Sequence, residues 1–240
     1  MSRIKSLLKK TTKPLGYLAI LLLRVASRYK IRIPEKYLVA AHLVRAGSPL
    51  HPNKAIFIKV LREFEKSPLR IIETGTSAWG ADSTRLWDEY VRASGGQVIS
   101  VDIRTEPSEI LRGKVSKKTT FAIADSVVFL ADLVNQNYIA DLIYLDSFDV
   151  DWLDPSPAEQ HGAKEFELAK KLIRIGGIIL IDDTPTVAAA IQIGVASPTQ
   201  IDGEPVEIRG KGAEAVKAVR DDPNFIILSH EYAIAIKRIS

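Results

Sequence analysis

Two rhythms of apolar and polar positions run along this chain. Short, nearly continuous apolar runs, several of them stopping at an acid, fall at Arg70–Glu73, Gln97–Asp102, Thr119–Ile123, Ala140–Leu145 and Ile178–Ile181. Runs of this length without alternation predict strands buried on both faces of a parallel sheet. Between them the spacing turns helical, over Ser83–Ala93, from the Asp125-Ser126 cap through Asn135, over Ser156–Arg174 and over Lys211–Arg220. Two further helices, Pro34–Ala46 and Asn53–Lys66, precede the first strand, and the second stops at Ser67-Pro68. Ser94-Gly95-Gly96 and Ile175-Gly176-Gly177 read as turns leading into strands. Phe225–Ser229 and Tyr232–Lys237, split by His230-Glu231, predict a closing antiparallel hairpin. Strands alternating with helices imply an α/β domain whose mostly parallel seven-stranded sheet carries helices on both faces.

Composition narrows this only a little. At 240 residues, with 46% hydrophobic and 26% charged positions, the chain suits one globular domain. The absence of cysteine excludes disulfides, thiolate metal sites and cysteine nucleophiles, and agrees with a cytoplasmic enzyme. The charge of +4 is unevenly spread. No acid precedes Glu35, whereas Arg3, Lys5, Lys9, Lys10, Lys13, Arg24, Arg28, Lys30 and Arg32 are basic, so the rest of the chain is net acidic. A basic, partly apolar helical extension over residues 1–33 is therefore set apart from a main domain over 34–240, itself divided into helices at 34–68 and a core at 69–240. The extension's apolar run, Leu15 to Leu23, is shorter than the roughly 20 residues a spanning helix needs. It resembles the start of a signal peptide, but basic residues follow directly and no small-x-small cleavage site stands after it. Two readings stand: an interfacial helix on the inner face of an anionic membrane, or a helix packed on its own domain or on a second subunit of a homo-oligomer.

The most informative stretch is Ile71-Ile72-Glu73-Thr74-Gly75-Thr76-Ser77, followed by Ser100-Val101-Asp102. A strand, a glycine turn, a helix and a second strand ending on a carboxylate form the βαβ layout that holds a nucleoside, with the acid on the ribose hydroxyls. The turn is not Gly-x-Gly-x-x-Gly, and Glu73 at its edge would repel a pyrophosphate. A cationic ligand would tolerate that charge, which favours S-adenosylmethionine over NAD. Asp146 and the pair Asp182-Asp183 also end strands. In open α/β sheets all these acids gather at the rim where ligands bind, although any one alone reads equally as a helix cap.

Over roughly Arg70 to Lys237 the chain resembles class I S-adenosylmethionine-dependent methyltransferases with their Rossmann-like fold. The resemblance rests on Ile72-Glu73-Thr74-Gly75-Thr76, Ser100-Val101-Asp102, Ala124-Asp125-Ser126, Asp141 to Asp146, and Leu172 to Asp183. The last two blocks are similar to the branch of catechol-type and bacterial glycan and macrolide O-methyltransferases. The resemblance implies that Glu73, Gly75, Thr76 and Ser77 line the methionine part of the cofactor. Gly80, Ser83 and Asp146 are further cofactor contacts, Asp102 takes the ribose, Ile103 faces adenine, and Asp125-Ser126 lie at its amino edge. Ser77 and Trp79 stand where many members carry glycine.

The same resemblance makes Asp146, Asp182 and Asp183 ligands for Mg2+, or for Mn2+ or Ca2+, since three oxygen donors do not suit zinc. Such an ion would lower the pKa of a substrate hydroxyl and orient it. Asp182-Asp183 departs from the Asp-Asn pair of related enzymes, and Asp149 stands where a catechol-type enzyme tends to have a lysine base. His161 is then the candidate catalytic base beside Asp146, while His42 and His51 could belong to a lid. Gly210-Lys211-Gly212 reads either as an anion-binding helix start or as a plain turn. The expected activity is methyl transfer to a hydroxyl of a small molecule or a membrane-proximal glycan. An acidic rim argues against nucleic acid, and Asp154-Pro155-Ser156-Pro157 reads as a proline turn rather than an amino-methylating motif. A methyltransferase of the same fold acting on nucleic acid or protein, and a silent cofactor-binding scaffold, are the alternatives, because fold alone does not separate them.

Overall fold

The computed structural model describes residues 2–29, 34–76, 81–195 and 209–240, and of residues 2–12 the helical backbone. One sheet of seven strands organises it: β1 (Leu69–Thr74), β2 (Gly96–Asp102), β3 (Thr119–Ile123), β4 (Ala140–Leu145), β5 (Ile173–Ile181), β6 (Phe225–His230) and β7 (Ile234–Arg238). The spatial order is β3-β2-β1-β4-β5-β7-β6. Strands β1 to β5 are parallel, and β7 pairs antiparallel with both β5 and β6. The order reverses between β1 and β4, and ligands bind outside the carboxyl ends of strands at such a switch point.

Alternation along the central strands builds two apolar layers. Ile71, Leu142, Tyr144, Ile178 and Leu180 face one cluster, which also contains Val39, Phe57 and Leu61. Ile72, Ile143, Leu145, Ile179 and Ile181 face the other, with Leu130, Phe166 and Leu172. Helices α2 (Glu35–Ala46), α3 (Lys54–Glu63) and α4 (Ser83–Ser94) cover the first face. The second lies under α6 (Ser126–Asn135), α7 (Ser156–Leu172) and α9 (Ala213–Arg220). Three short or flanking helices complete the chain: α1 (Ser2–Arg28), α5 (Glu106–Leu111) and α8 (Val187–Ile193).

Several expected boundaries move, among them the end of the helix over Asn53–Lys66, which stops at Glu63. The helix predicted to reach Arg174 stops at Leu172, and Ile173 already belongs to β5. Ile175-Gly176-Gly177 is therefore not a helix-to-strand turn but an irregularity within β5, where the register against β4 shifts and Gly176 takes φ +77°. His230 ends β6 instead of making the hairpin turn, and its Nε2 lies 2.8 Å from the Thr184 carbonyl.

The N-terminal helix lies on its own domain. Gly16 allows the crossing, because a Cβ there would collide with the backbone of Val44 and Arg45 on α2. Ile20 is buried, and Arg24 and Arg45 both pair with Glu89 of α4. The opposite side of α1 exposes Leu15, Leu18, Leu21 and Leu22. Among the described residues, no helix is long and apolar enough to cross a membrane.

Candidate active site

The carboxyl ends of β1, β2, β4 and β5 bring the sequence-predicted acids to one rim. At the switch point the turn after β1 meets the turn after β4. Gly75 has φ +77°, and a Cβ on it would strike the Asp146 carbonyl and the Ser147 nitrogen. Asp146 N donates to the Thr74 carbonyl over 3.0 Å, and Gly75 N to Val101 over 2.8 Å. Only glycine permits this approach, which leaves bare backbone as the floor of the crevice.

Glu73 faces inward. Its carboxylate is fully buried and accepts from Ser83 Oγ at 2.6 Å, Ser100 Oγ at 2.6 Å, Trp87 Nε1 at 3.1 Å and the Thr84 hydroxyl. A carboxylate has about four lone-pair sites, so Glu73 offers a ligand its charge rather than a free acceptor. Burial pushes its pKa up to about 7 against the four hydrogen bonds that oppose the shift. Ser83 is committed to this anchor, and Thr76 Oγ1 lies 2.8 Å from Ser100 Oγ. Ser77 and Gly80 lie outside the described residues.

The β2 end is open by comparison. Arg104 folds back on Asp102, with its backbone N at 2.8 Å, Nη2 at 3.0 Å and Nε at 3.1 Å from the carboxylate oxygens. The Arg104 side chain is 52% exposed, and the next apolar residue on the rim, Ile103, is 73% exposed. Asp125 caps α6 by accepting from Val128 N. Ser126 Oγ lies 3.0 Å from His161 Nε2. That nitrogen also lies 3.7 Å from Glu165 Oε1, and the Phe148 ring stacks on the imidazole with centroids 5.3 Å apart. Glu165 raises the His161 pKa above its ordinary value, against half-burial. His161 thus stands on the Ser126 side of the rim.

The β4–β5 end is closed. Lys211, 3% exposed, reaches in from the segment before α9 and places Nζ 2.7 Å from Asp146 Oδ1 and 3.0 Å from Asp183 Oδ2. The Tyr232 hydroxyl donates to Asp183 Oδ1. Asp182 accepts from Asn53 Nδ2 at 2.7 Å, from Asp183 N at 2.8 Å and from the Tyr144 hydroxyl. Asp146, Asp182 and Asp183 do come together, as the sequence predicts, but around an ammonium. In this arrangement each of the three carboxylates already has at least one oxygen bonded to a protein donor, and the expected divalent-cation site is not formed. Among the described residues, no group of three or more His, Asp or Glu side chains is arranged to hold a metal ion. The carboxylates in turn hold Lys211 charged, lifting its pKa despite burial.

Asn53 escaped the sequence reading. Asn53 N lies 3.2 Å from His51 Nδ1 while its side chain grips Asp182, so His51 stands beside the β5 acids. Tyr144 is core: it packs edge-on with Phe57 and Trp87, and the polar tips of Tyr144 and Trp87 end on Asp182 and Glu73. His42 is structural. It is fully buried between Arg45 and the Ala81 carbonyl, and burial lowers its pKa to about 3. A cleft of 570 Å³ between α1, α2 and α4 is lined by Arg24, Lys66, Glu89 and Ser94. Lys66 and Ser94 flank the amino ends of β1 and β2, so this cleft opens away from the rim.

No family model and no curated protein sequence matches this chain. Solved structures do. It is similar to the MycE methyltransferase from the mycinamycin biosynthetic pathway in complex with Mg and SAH, at 18% identity and a TM-score of 0.61 over 87% of this chain and 55% of that one. A second MycE structure, with Mg, SAH and mycinamycin VI, matches at 18% identity and a TM-score of 0.59 over 84% and 54%. The chain thus spans about half the length of the MycE chains. SAH-bound Podospora anserina methyltransferase PaMTH1 matches at 15% identity and a TM-score of 0.53, over 92% of this chain and 88% of that one. At these identities the likeness is one of architecture, and this chain has the Rossmann-like fold of those methyltransferases.

Proposed function

We propose that this protein is an S-adenosylmethionine-dependent O-methyltransferase that transfers a methyl group to a hydroxyl of a small molecule or sugar. The observation that carries the reading is the rim at the switch point, where the Gly75–Asp146 backbone floor lies next to Asp102 and exposed Ile103. The fold shared with SAH-bound methyltransferases supports it. Asp102 would accept both ribose hydroxyls once Arg104 turns outward, and Ile103 would lie on adenine, while the Ser126 hydroxyl is engaged by His161. The cofactor supplies an activated methyl on a sulfonium; the protein's task is to hold an acceptor oxygen in line with it. A sulfonium above Glu73 would favour its charged form, so that the carboxylate sets a negative field beneath that positive charge.

His161 takes the hydroxyl proton in this reading. With Nε2 directed at Ser126 and Glu165, the neutral tautomer carries its proton there and leaves Nδ1 as the basic atom. The divalent cation expected from the sequence has no part in this mechanism. A membrane-proximal acceptor stays within the reading because α1 keeps a leucine-rich face exposed on a basic arm. Nucleic acid is disfavoured by the acids at the rim. The test is a screen of hydroxylated acceptors with methyl-labelled cofactor. Label should appear as a base-stable ether in at least one acceptor class. Binding of cofactor without transfer to any acceptor would favour a silent scaffold, and transfer to RNA or protein alone would replace the substrate class.

A further inference from the structure

The acids at the ends of β4 and β5 pose a charge problem, which the fold solves with its own cation. Every carboxylate of the group is bonded from within the protein. Asp182 takes donors from Asn53, Asp183 N and Tyr144, Asp183 takes Tyr232 and Lys211, and Asp146 takes Lys211. An Mg2+ or Ca2+ ion binding here through oxygens would compete with these donors for the same carboxylates. It would also sit beside a buried ammonium bonded to two of them.

Lys211 is not a surface lysine that happens to reach inward. Its backbone N donates to the Asp183 carbonyl over 3.2 Å, and Gly212 N donates to Thr184 Oγ1 over 2.8 Å. Gly210, at φ +105°, would drive a Cβ into the Asp183 carbonyl, and Gly212 would drive one into the Thr184 hydroxyl. On the far side, a Cβ on Gly162 of α7 would collide with the Lys211 carbonyl. The glycines on either side of Lys211, and a third facing it, thus let the segment lie flat against the end of β5. The side chain then has one direction to go, between Asp146 and Asp183. The Gly-Lys-Gly motif delivers a cation; it does not receive an anion.

We propose that Lys211 is the resident cation of this rim, fixing Asp146 and Asp183 in place of a divalent metal ion, so that the site assembles and works without metal. Lys211 is a positioning residue, acting through Asp146 at the crevice floor. The proposal rests on the methyltransferase reading for what the site does, but not for whether it binds metal.

The experiment follows Mn2+ uptake by electron paramagnetic resonance on the full chain, with SAH affinity measured by calorimetry in parallel. Wild type should take up no Mn2+ at millimolar ion, and chelator should leave its SAH affinity and melting temperature unchanged. Lys211→Ala should expose the carboxylates and gain Mn2+ binding, with the ion restoring about 5 °C of melting temperature. Lys211→Arg, which keeps the charge, should stay blind to Mn2+. The wild type and Lys211→Arg decide the matter even if Lys211→Ala does not fold. Mn2+ uptake by wild type that Asp182→Asn abolishes would overturn the proposal, as would a folded Lys211→Ala that binds none. Absence of SAH binding alongside a metal-blind wild type would instead strike the functional reading and leave the resident cation standing.

Discussion

The two halves of the rim hold their acids in opposite ways. At β2, Asp102 is paired with Arg104, whose side chain is 52% exposed. At β4 and β5, Asp146 and Asp183 are paired with Lys211, which is 3% exposed. Asp102 is itself buried, at 4% exposure, but its partner is solvent-exposed, and a pair made by an exposed long side chain is worth about 1 kcal/mol because water screens it and the side chain must be ordered to make it. Hydrogen bonds from two ribose hydroxyls to a carboxylate are each worth about 1.5–3 kcal/mol. Ribose therefore wins over Arg104, and the first half opens on demand. A buried pair whose partner is removed leaves an uncompensated charge, at a cost of about 3–5 kcal/mol. The second half stays shut. The contrast divides the labour: a covered seat for the cofactor, and a fixed floor beside which an acceptor is aligned.

That contrast can be broken by substitution. The largest effect belongs to Lys211→Ala, which should cost about 3–5 kcal/mol at neutral pH and lower the melting temperature by about 10 °C; calorimetric melting measures it. A loss below about 1 kcal/mol would mean that the β4–β5 acids are as loosely held as Asp102. Next comes a shift in pH dependence. Because His161 must be neutral to accept a proton, kcat/KM should rise with pH through a pKa above the ordinary histidine value, where Glu165 holds it. Removing that negative charge in Glu165→Gln makes the imidazolium easier to deprotonate, so the acid limb of the profile should move to lower pH. An unmoved limb would remove His161 as the base. The smallest effect is expected at the open half. Arg104→Ala deletes the competitor for Asp102 and should tighten SAH binding by up to about fivefold while changing stability by less than about 1 kcal/mol.

Much of this architecture was legible because parallel strands buried on both faces have a strong signature. Ile71-Ile72, Leu142 to Leu145 and Ile178 to Ile181 each feed both apolar layers, and the acids that end such strands must meet at one rim. Short elements were not legible. Helix α5 has six residues and begins Glu106-Pro107, too few for a 3.6-residue period to show, and α8 is only one residue longer. The start of β5 was hidden because Gly176-Gly177 punctuates the sequence like a turn while the chain continues as a strand around an irregularity.

Clustered acids do need a cation, and no lysine stands near Asp146 in the sequence. The cation comes from 65 residues away, through a tertiary approach that local spacing cannot report. The glycines around Lys211 were its only visible sign. Arg104 was overlooked for a different reason: a basic residue two places after a strand-end acid is ordinary in sequence, and its meaning lies in the closed geometry at Asp102.

The most direct test of the account is a calorimetric titration of SAH into wild type and into Asp102→Ala. The account predicts binding to wild type and a folded Asp102→Ala protein whose affinity is weaker by about 10- to 150-fold, the loss of a charge-assisted ribose contact. Equal affinity in the two proteins would contradict the assignment of Asp102, and a wild type that prefers NAD to SAH would contradict the function itself.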